Sequence, residues 1–157
     1  DAAKLRAVFH RLETAMRTER SEERVPLDLD ALDIDHVMPQ AWTAHWPLSD
    51  GTSVTAEEAA AAAIKRFAPE GLDARSDAIL LRQEAITRLG NLTLVHYGVN
   101  RSLQNSAFAA KRKALFDHSN LHLNRQLMQL GTWDEQGIAA RGEALADLAL
   151  KIWPGPV

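Results

Sequence analysis

"LDIDHVMPQAW" (residues 32–42) decides how the chain is read. Leu32, Ile34 and His36 alternate with Asp33 and Asp35. That is the period-two pattern of a short strand, predicted from Leu32 to Met38 and stopped at Pro39 by its fixed φ and missing N–H. A strand that only fills a core needs neither Asp35 nor His36. A carboxylate holds Mg²⁺, and a neutral imidazole takes a proton from water near neutral pH. Alternation sends the two side chains to opposite faces, so both meet one substrate only if the strand ends or bends there. Pro39 supplies a reason for it to do so. The plain alternative is a surface Asp beside a half-buried His.

Working outward, "LGNLTLVHYGVN" (residues 89–100) is the second informative stretch. Gly90 reads as the residue closing a helix that Ser76 or Asp77 caps and that runs through Ile79, Leu81, Ala85 and Leu89. Asn91 to Val95 reads as a second strand, and Tyr97-Gly98 as a turn. The Asn91 amide has donors and an acceptor for loop backbone on both sides. Asn is also an ordinary turn and cap residue. Asn100 follows nine residues later.

The rest of the chain is helical in pattern. Residues 2–19 carry Leu5, Val8, Phe9, Leu12 and Met16 at helical spacing. Residues 20–31 are an acidic connection containing Pro26, and residues 43–54 a loop. Thr55 and Glu58 match a capping box before an Ala-rich helix to about Phe67, broken by Pro69 and Gly71. Asn105 or Ser106 opens a helix through Phe116, and another covers about 120–129. Thr132 and Glu135 form a second box, and the last helix buries Ile138, Leu145, Leu148 and Ile152 before Pro154. The prediction is an α+β, mostly helical fold, with its chemistry-bearing residues gathered around two short strands.

At 157 residues and 46% hydrophobic, one domain with a real core is expected. The absence of Cys excludes disulfides and thiolate-bound zinc, and fits a cytoplasmic location. No apolar run approaches the roughly 18 residues of a membrane span. The first residue is Asp1, and a piece of a longer protein is expected. The net charge of −3 argues mildly against a nucleic-acid partner. Its distribution argues the other way. Six acids fall between Glu22 and Asp35, whereas Ala85 to Phe116 holds Arg88, Arg101, Lys111, Arg112 and Lys113 and no acid. Such a local basic field holds a polyanion even on an acidic chain. Lys111 lies three residues after Phe108 and four before Leu115, on the inward face, while Arg112 and Lys113 turn outward.

Asp-His on one strand, Asn on a second, and a further polar residue entering a helix are in the order of the HNH (ββα-metal) nucleases, which the chain resembles. "DHVMPQAW", "LGNLTL", Asn100, "NSAFAAKRKAL" and "TWDEQGIAARGEALADLALKIWP" are similar in more detail to the C-terminal nuclease domain of the GmrSD-type modification-dependent restriction enzymes. The resemblance runs from about residue 32 to the end. A domain of the same family occurs in phosphorothioate-sensing defence nucleases.

The resemblance implies a small ββα-metal core wrapped by helices, and a role for each matching position. His36 matches the base that deprotonates water, and Asp35 a metal ligand. Asn91 matches the central Asn holding the loop that carries the base. Asn100 matches the last residue of the triad and second metal ligand, here Asn in place of His. The metal would be one Mg²⁺ or Mn²⁺, because a carboxylate and an amide oxygen are hard ligands. Lys111 is expected to reach the scissile phosphate, with Arg88, Arg101, Lys111, Arg112 and Lys113 as the DNA footprint. Compact HNH domains lack the helical insert at residues 43–88; the restriction-enzyme family has one.

Other residues carry weaker signals. His96 is a reserve ligand, and Asn105 either caps the next helix or replaces Asn100. His10, His45, His118 and His122 match no role. Trp42, Trp46, Trp133 and Trp153 read as core or helix seam, and Arg141 as a helix–helix or phosphate contact. The implied function is metal-dependent DNA nicking or cutting in a restriction or anti-phage defence protein. The resemblance also implies a nucleotide-binding sensor domain N-terminal in the same full-length chain; no phosphate-cradling Gly-rich loop occurs here, so this stretch is not expected to hydrolyse nucleotides by itself. A decayed nuclease that only grips DNA, and an interaction or scaffold domain, are the alternatives.

Overall fold

The computed structural model describes residues 1–17, 26–67 and 72–155. Glu22 and Glu23 of the acidic run, and the helix breakers Pro69 and Gly71, lie outside the described residues. Two strands and seven α-helices are described: α1 (Ala2–Met16), β1 (Leu32–His36), α2 (Ala56–Lys65), α3 (Ala74–Ile86), β2 (Leu92–His96), α4 (Tyr97–Leu103), α5 (Phe108–His118), α6 (His122–Gln129) and α7 (Glu135–Ile152). The expected α+β, mostly helical class is therefore the one found.

The strands pair antiparallel, with Leu32 opposite His96, Asp35 opposite Thr93 and His36 opposite Leu92. The chain enters α4 directly from β2, so β1, β2 and α4 form a ββα unit. Alternation along β2 divides the apolar interior in two. Leu92 and Leu94 pack with Phe9, Leu12, Leu121 and Leu145. Val95 packs with Val37, Phe108, Leu115, Trp133 and Ile138. Trp42, Trp46, Leu48, Ala59, Ala62 and Ile79 belong to this second cluster, so the insert at 43–88 shares its core with the strands. Trp42, Trp46 and Trp133 are buried there, whereas Trp153 is largely exposed.

Buried polar groups fasten the elements together. Glu13 on α1 accepts the backbone N–H of His122 at 3.1 Å and of Leu123 at 3.0 Å. It thus satisfies orphan donors at the start of α6, whose own cap position, Leu121, offers no side-chain acceptor. Arg82 on α3 donates to the carbonyls of Trp46 (3.0 Å) and Pro47 (2.6 Å) and pairs with Glu135.

The ends of the elements differ from the sequence reading in several places. The Thr55–Glu58 capping box forms as expected. The α3 cap is Asp73, not Ser76 or Asp77; its carboxylate accepts from the Ser76 N–H. Tyr97-Gly98 is the first turn of α4, not an isolated turn. α5 begins at Phe108 with no side-chain cap, so neither Asn105 nor Ser106 caps it. Asp134 caps α7 in place of a Thr132–Glu135 box, because Glu135 is engaged by Arg82 and Ser49. Strand pairing ends at His36, two residues short of Met38.

Gly90 also differs from its expected role. Only Gly51 has a positive φ among the described residues, so Gly90 is not a left-handed helix stop. It allows close approach instead. A Cβ there would lie 2.0 Å from the Ile138 carbonyl oxygen and 2.7 Å from the Gly142 nitrogen. The 3-10 turn Leu89–Asn91 therefore rests directly on the backbone of α7.

Candidate active site

The site begins with Asn91, which is fully buried and uses its amide completely. Its side-chain oxygen accepts the Met38 N–H at 2.9 Å and the Trp133 indole N–H at 3.0 Å. Its NH₂ donates to the carbonyls of Met38 (2.8 Å) and Ile86 (3.0 Å). The Asn91 backbone carbonyl accepts the Val37 N–H at 2.9 Å. Beyond the last residue of β1, the chain is thus held by one side chain and its own backbone. Pro39 then carries the chain away without needing a donor.

Asp35, Asn100 and Lys111 line one small cleft together with Thr93, Val37, Val95, Val99, Leu103 and Leu115. β1 supplies Asp35, α4 supplies Asn100, and α5 supplies Lys111. Lys111 faces inward with Phe108 and Leu115, as its spacing predicts, and is buried with them. Its ammonium donates to Asp35 Oδ2 at 2.9 Å and to the His36 carbonyl at 2.6 Å. The Asn100 side-chain amide makes no hydrogen bond among the described residues. Thr93, on the cleft wall, donates to Asn124 Oδ1 at 2.5 Å and receives Arg141 Nη2 at 3.3 Å.

Arg141 itself is buried and donates to the carbonyls of Gly90 and Leu92, each at 2.6 Å. The expected helix–helix contact is present only as a 3.4 Å bond to the Leu123 carbonyl on α6; the shorter bonds go to the turn and strand carbonyls. Burial pushes its pKa down to about 10, which leaves it charged at neutral pH.

His36 is half-buried at the end of β1 and does not line the cleft. Alternation places it on the other face of the strand from Asp35. Its pKa lies below the ordinary histidine value because burial disfavours the cation, with Lys111 adding repulsion and Asp35 opposing. The imidazole is therefore neutral at neutral pH and able to accept a proton. Burial raises the Asp35 carboxyl above its ordinary value, against the lowering effect of Lys111.

The reserve ligands stand elsewhere. His96 is exposed; its Nδ1 accepts the Gly98 N–H at 3.2 Å, and its ring stacks on Tyr97. Asn105 is exposed beyond the end of α4. Neither lines the cleft. The basic residues are dispersed. Arg101 sits over the Tyr97 ring, Lys113 pairs with Asp117, and Arg88 pairs with Glu84 beside a groove formed with Leu48 and Glu135. Arg112 is half-buried and donates to the Leu130 carbonyl at 2.7 Å.

The supporting roles of Trp133, Thr93 and Asn124 have no local signal, because each acts through contacts 30 to 42 residues away. No group of three or more His, Asp or Glu among the described residues is arranged to hold a metal. A divalent ion would have to rely on Asp35 and Asn100, with water completing its shell. That low-charge oxygen set fits Mg²⁺ or Mn²⁺, which keep several waters. The fit is supported by a cation already seated on Asp35, the Lys111 ammonium, and by the unpartnered Asn100 amide in the same cleft.

Residues 1–148 match the family model for the C-terminal domain of GmrSD restriction endonucleases. The chain belongs to this family. The match begins at residue 1, so α1 is included as well as the region from Leu32 onward. Neither a curated protein nor a solved structure matches the chain. The cleft between β1, α4 and α5 brings the Asp35 carboxylate, the Asn100 side chain and the Lys111 ammonium together.

Proposed function

We propose that this GmrSD C-terminal domain is an HNH-type endonuclease that hydrolyses DNA phosphodiester bonds with the help of one Mg²⁺ or Mn²⁺ ion. The observation that carries the reading is the Asn91 clamp. One buried amide fixes the chain just after His36, while the neighbouring Asp35 shares a cleft with Asn100.

In this reading the scissile phosphate lies across the end of β1, where the faces of Asp35 and His36 meet. His36, neutral at working pH, takes a proton from the attacking water. Asp35 and Asn100 would hold the ion, which would supply charge stabilisation to the reacting phosphate. Asn91 is a positioning residue: it keeps the His36 backbone in register with the cleft, and Trp133 holds Asn91 in turn. Arg101 and Lys113 steer the duplex by phosphate contacts, which place DNA without reading its sequence. Recognition of a modified base or backbone, phosphorothioate included, then falls to a nucleotide-binding sensor domain elsewhere in the full-length protein, working in the cytoplasm.

The test is conversion of supercoiled plasmid by the chain in Mg²⁺, Mn²⁺ or EDTA, with His36→Ala alongside. Nicking in either metal, none in EDTA, and a loss of at least about 10²-fold in His36→Ala are expected. His36 makes no side-chain hydrogen bond among the described residues, so that variant should fold normally. Parent-rate cleavage by His36→Ala would remove it from the mechanism.

A further inference from the structure

Lys111 is the residue whose placement the proposed hydrolysis does not explain. It is 3% exposed, which is rare for a lysine unless it is paired. Two of its three donor hydrogens are used, on Asp35 Oδ2 (2.9 Å) and the His36 carbonyl (2.6 Å). It lines the same cleft as both proposed metal ligands. The Asp35 oxygen it holds belongs to the only carboxylate lining that cleft among the described residues. An ammonium and a hard dication compete for such an oxygen, since both need the same negative charge.

We infer that the Lys111 ammonium is a built-in stand-in for the divalent ion, seated on Asp35 before metal binds and displaced from it by Mg²⁺ or Mn²⁺. The inference rests on the metal reading above and specifies how that site is regulated. Without the lysine, a carboxylate in this cleft would lack a counter-charge, and burying an unpaired charge is costly. With it, β1 and α5 are tied together in the metal-free protein, through Asp35 and through the His36 carbonyl. The consequence is weak metal affinity. A second consequence concerns the substrate: once displaced, the ammonium is a free cation on the cleft wall, within reach of a phosphate.

Mn²⁺ binding at pH 8, followed by calorimetry, tests this on the chain and on Lys111→Met, which keeps most of the length of the side chain without its charge. The variant should bind Mn²⁺ at least about tenfold more tightly. That is the effect of removing one positive charge about 5 Å from a dication even at the dielectric constant of water. A merely structural lysine would give the opposite sign, since a loosened site binds metal less well. Equal or weaker binding by folded Lys111→Met overturns the inference but leaves the metal site standing. No Mn²⁺ binding by either protein overturns the metal reading beneath it.

A second measurement needs no variant. The Lys111 ammonium, buried and doubly bonded, should give a slowly exchanging nitrogen-15 signal in the metal-free chain. That signal should disappear as Mg²⁺ saturates the site, with saturation followed at the Asn100 amide. An ammonium signal unchanged at saturation overturns displacement, whatever becomes of Lys111→Met.

Discussion

Replacing Asn91 by Ala removes four hydrogen bonds in one step. The groups left behind are the Met38 N–H and C=O, the Trp133 indole N–H and the Ile86 C=O. A buried polar group stripped of its partner costs about 1–3 kcal/mol. Water entering the vacated space would re-satisfy some of the four, so the total should fall near 3–5 kcal/mol rather than at the sum. That is a large part of the 5–15 kcal/mol of an ordinary domain. In a domain of this size each kcal/mol lowers Tm by about 2–4 °C, so a fall of about 6–20 °C is expected. Urea unfolding of Asn91→Ala against the parent gives the free energy directly, and a thermal melt checks it. Asn91→Asp is the informative partner. It keeps an acceptor for Met38 and Trp133 but points a carboxylate at two carbonyls, and should be no more stable than the alanine variant. A loss below about 1 kcal/mol in Asn91→Ala would refute the clamp, because the four contacts could not then be fixing the chain after β1.

Gly90→Ala would place a Cβ 2.0 Å from the Ile138 carbonyl oxygen, on backbone that no rotamer change relieves. It should cost at least about 1–3 kcal/mol, the usual range for overpacking, and melting without such a loss would mean that α7 moves freely away from the turn. DNA affinity should fall steeply with salt, and Arg101→Ala with Lys113→Ala should flatten the logarithmic salt slope by roughly one unit per lost contact, equally for all duplex sequences. Arg112→Ala should leave that slope unchanged, because its guanidinium is held by the Leu130 carbonyl; a flatter slope in Arg112→Ala would return it to the footprint.

Local patterns in the sequence carried most of the fold. Period-two alternation located β1, and the stretch from Asn91 to Val95 located β2, each within two residues, and the Thr55–Glu58 box opened α2 at the observed residue. The errors cluster where a distant partner outbids a local one. Thr132 and Glu135 have the spacing of a capping box, but Glu135 is taken by Arg82, 53 residues earlier. The start of α6 shows no cap in its own sequence because Glu13 supplies one from 109 residues away. Gly90 reads as a helix stop because glycine tolerates positive φ. Its real constraint is the lack of room for a Cβ against α7, which no local pattern can express.

For the proposed second metal ligand, local reading left three residues open, and the structure places the three differently. Asn100, Asn105 and His96 all lie within nine residues of one another, each polar and each close to β2. What distinguishes them is α4. Because the chain enters a helix at Tyr97 instead of turning, Asn100 falls in its middle and faces the cleft with Val99 and Leu103. His96 is spent as the cap of that helix, and Asn105 lies past its end. A dication on Asp35 can draw a second protein oxygen only from the same cleft. Titrating Mn²⁺ against nicking rate should therefore shift to higher concentration for Asp35→Ala and Asn100→Ala, while Asn105→Ala and His96→Ala follow the parent curve. His96→Ala could loosen α4 and lower the rate, but a loosened helix scales the curve without moving its midpoint. A midpoint shift in His96→Ala or Asn105→Ala, with Asn100→Ala unmoved, would mean that the ion sits outside the cleft and that Asp35 is not its ligand in the manner argued.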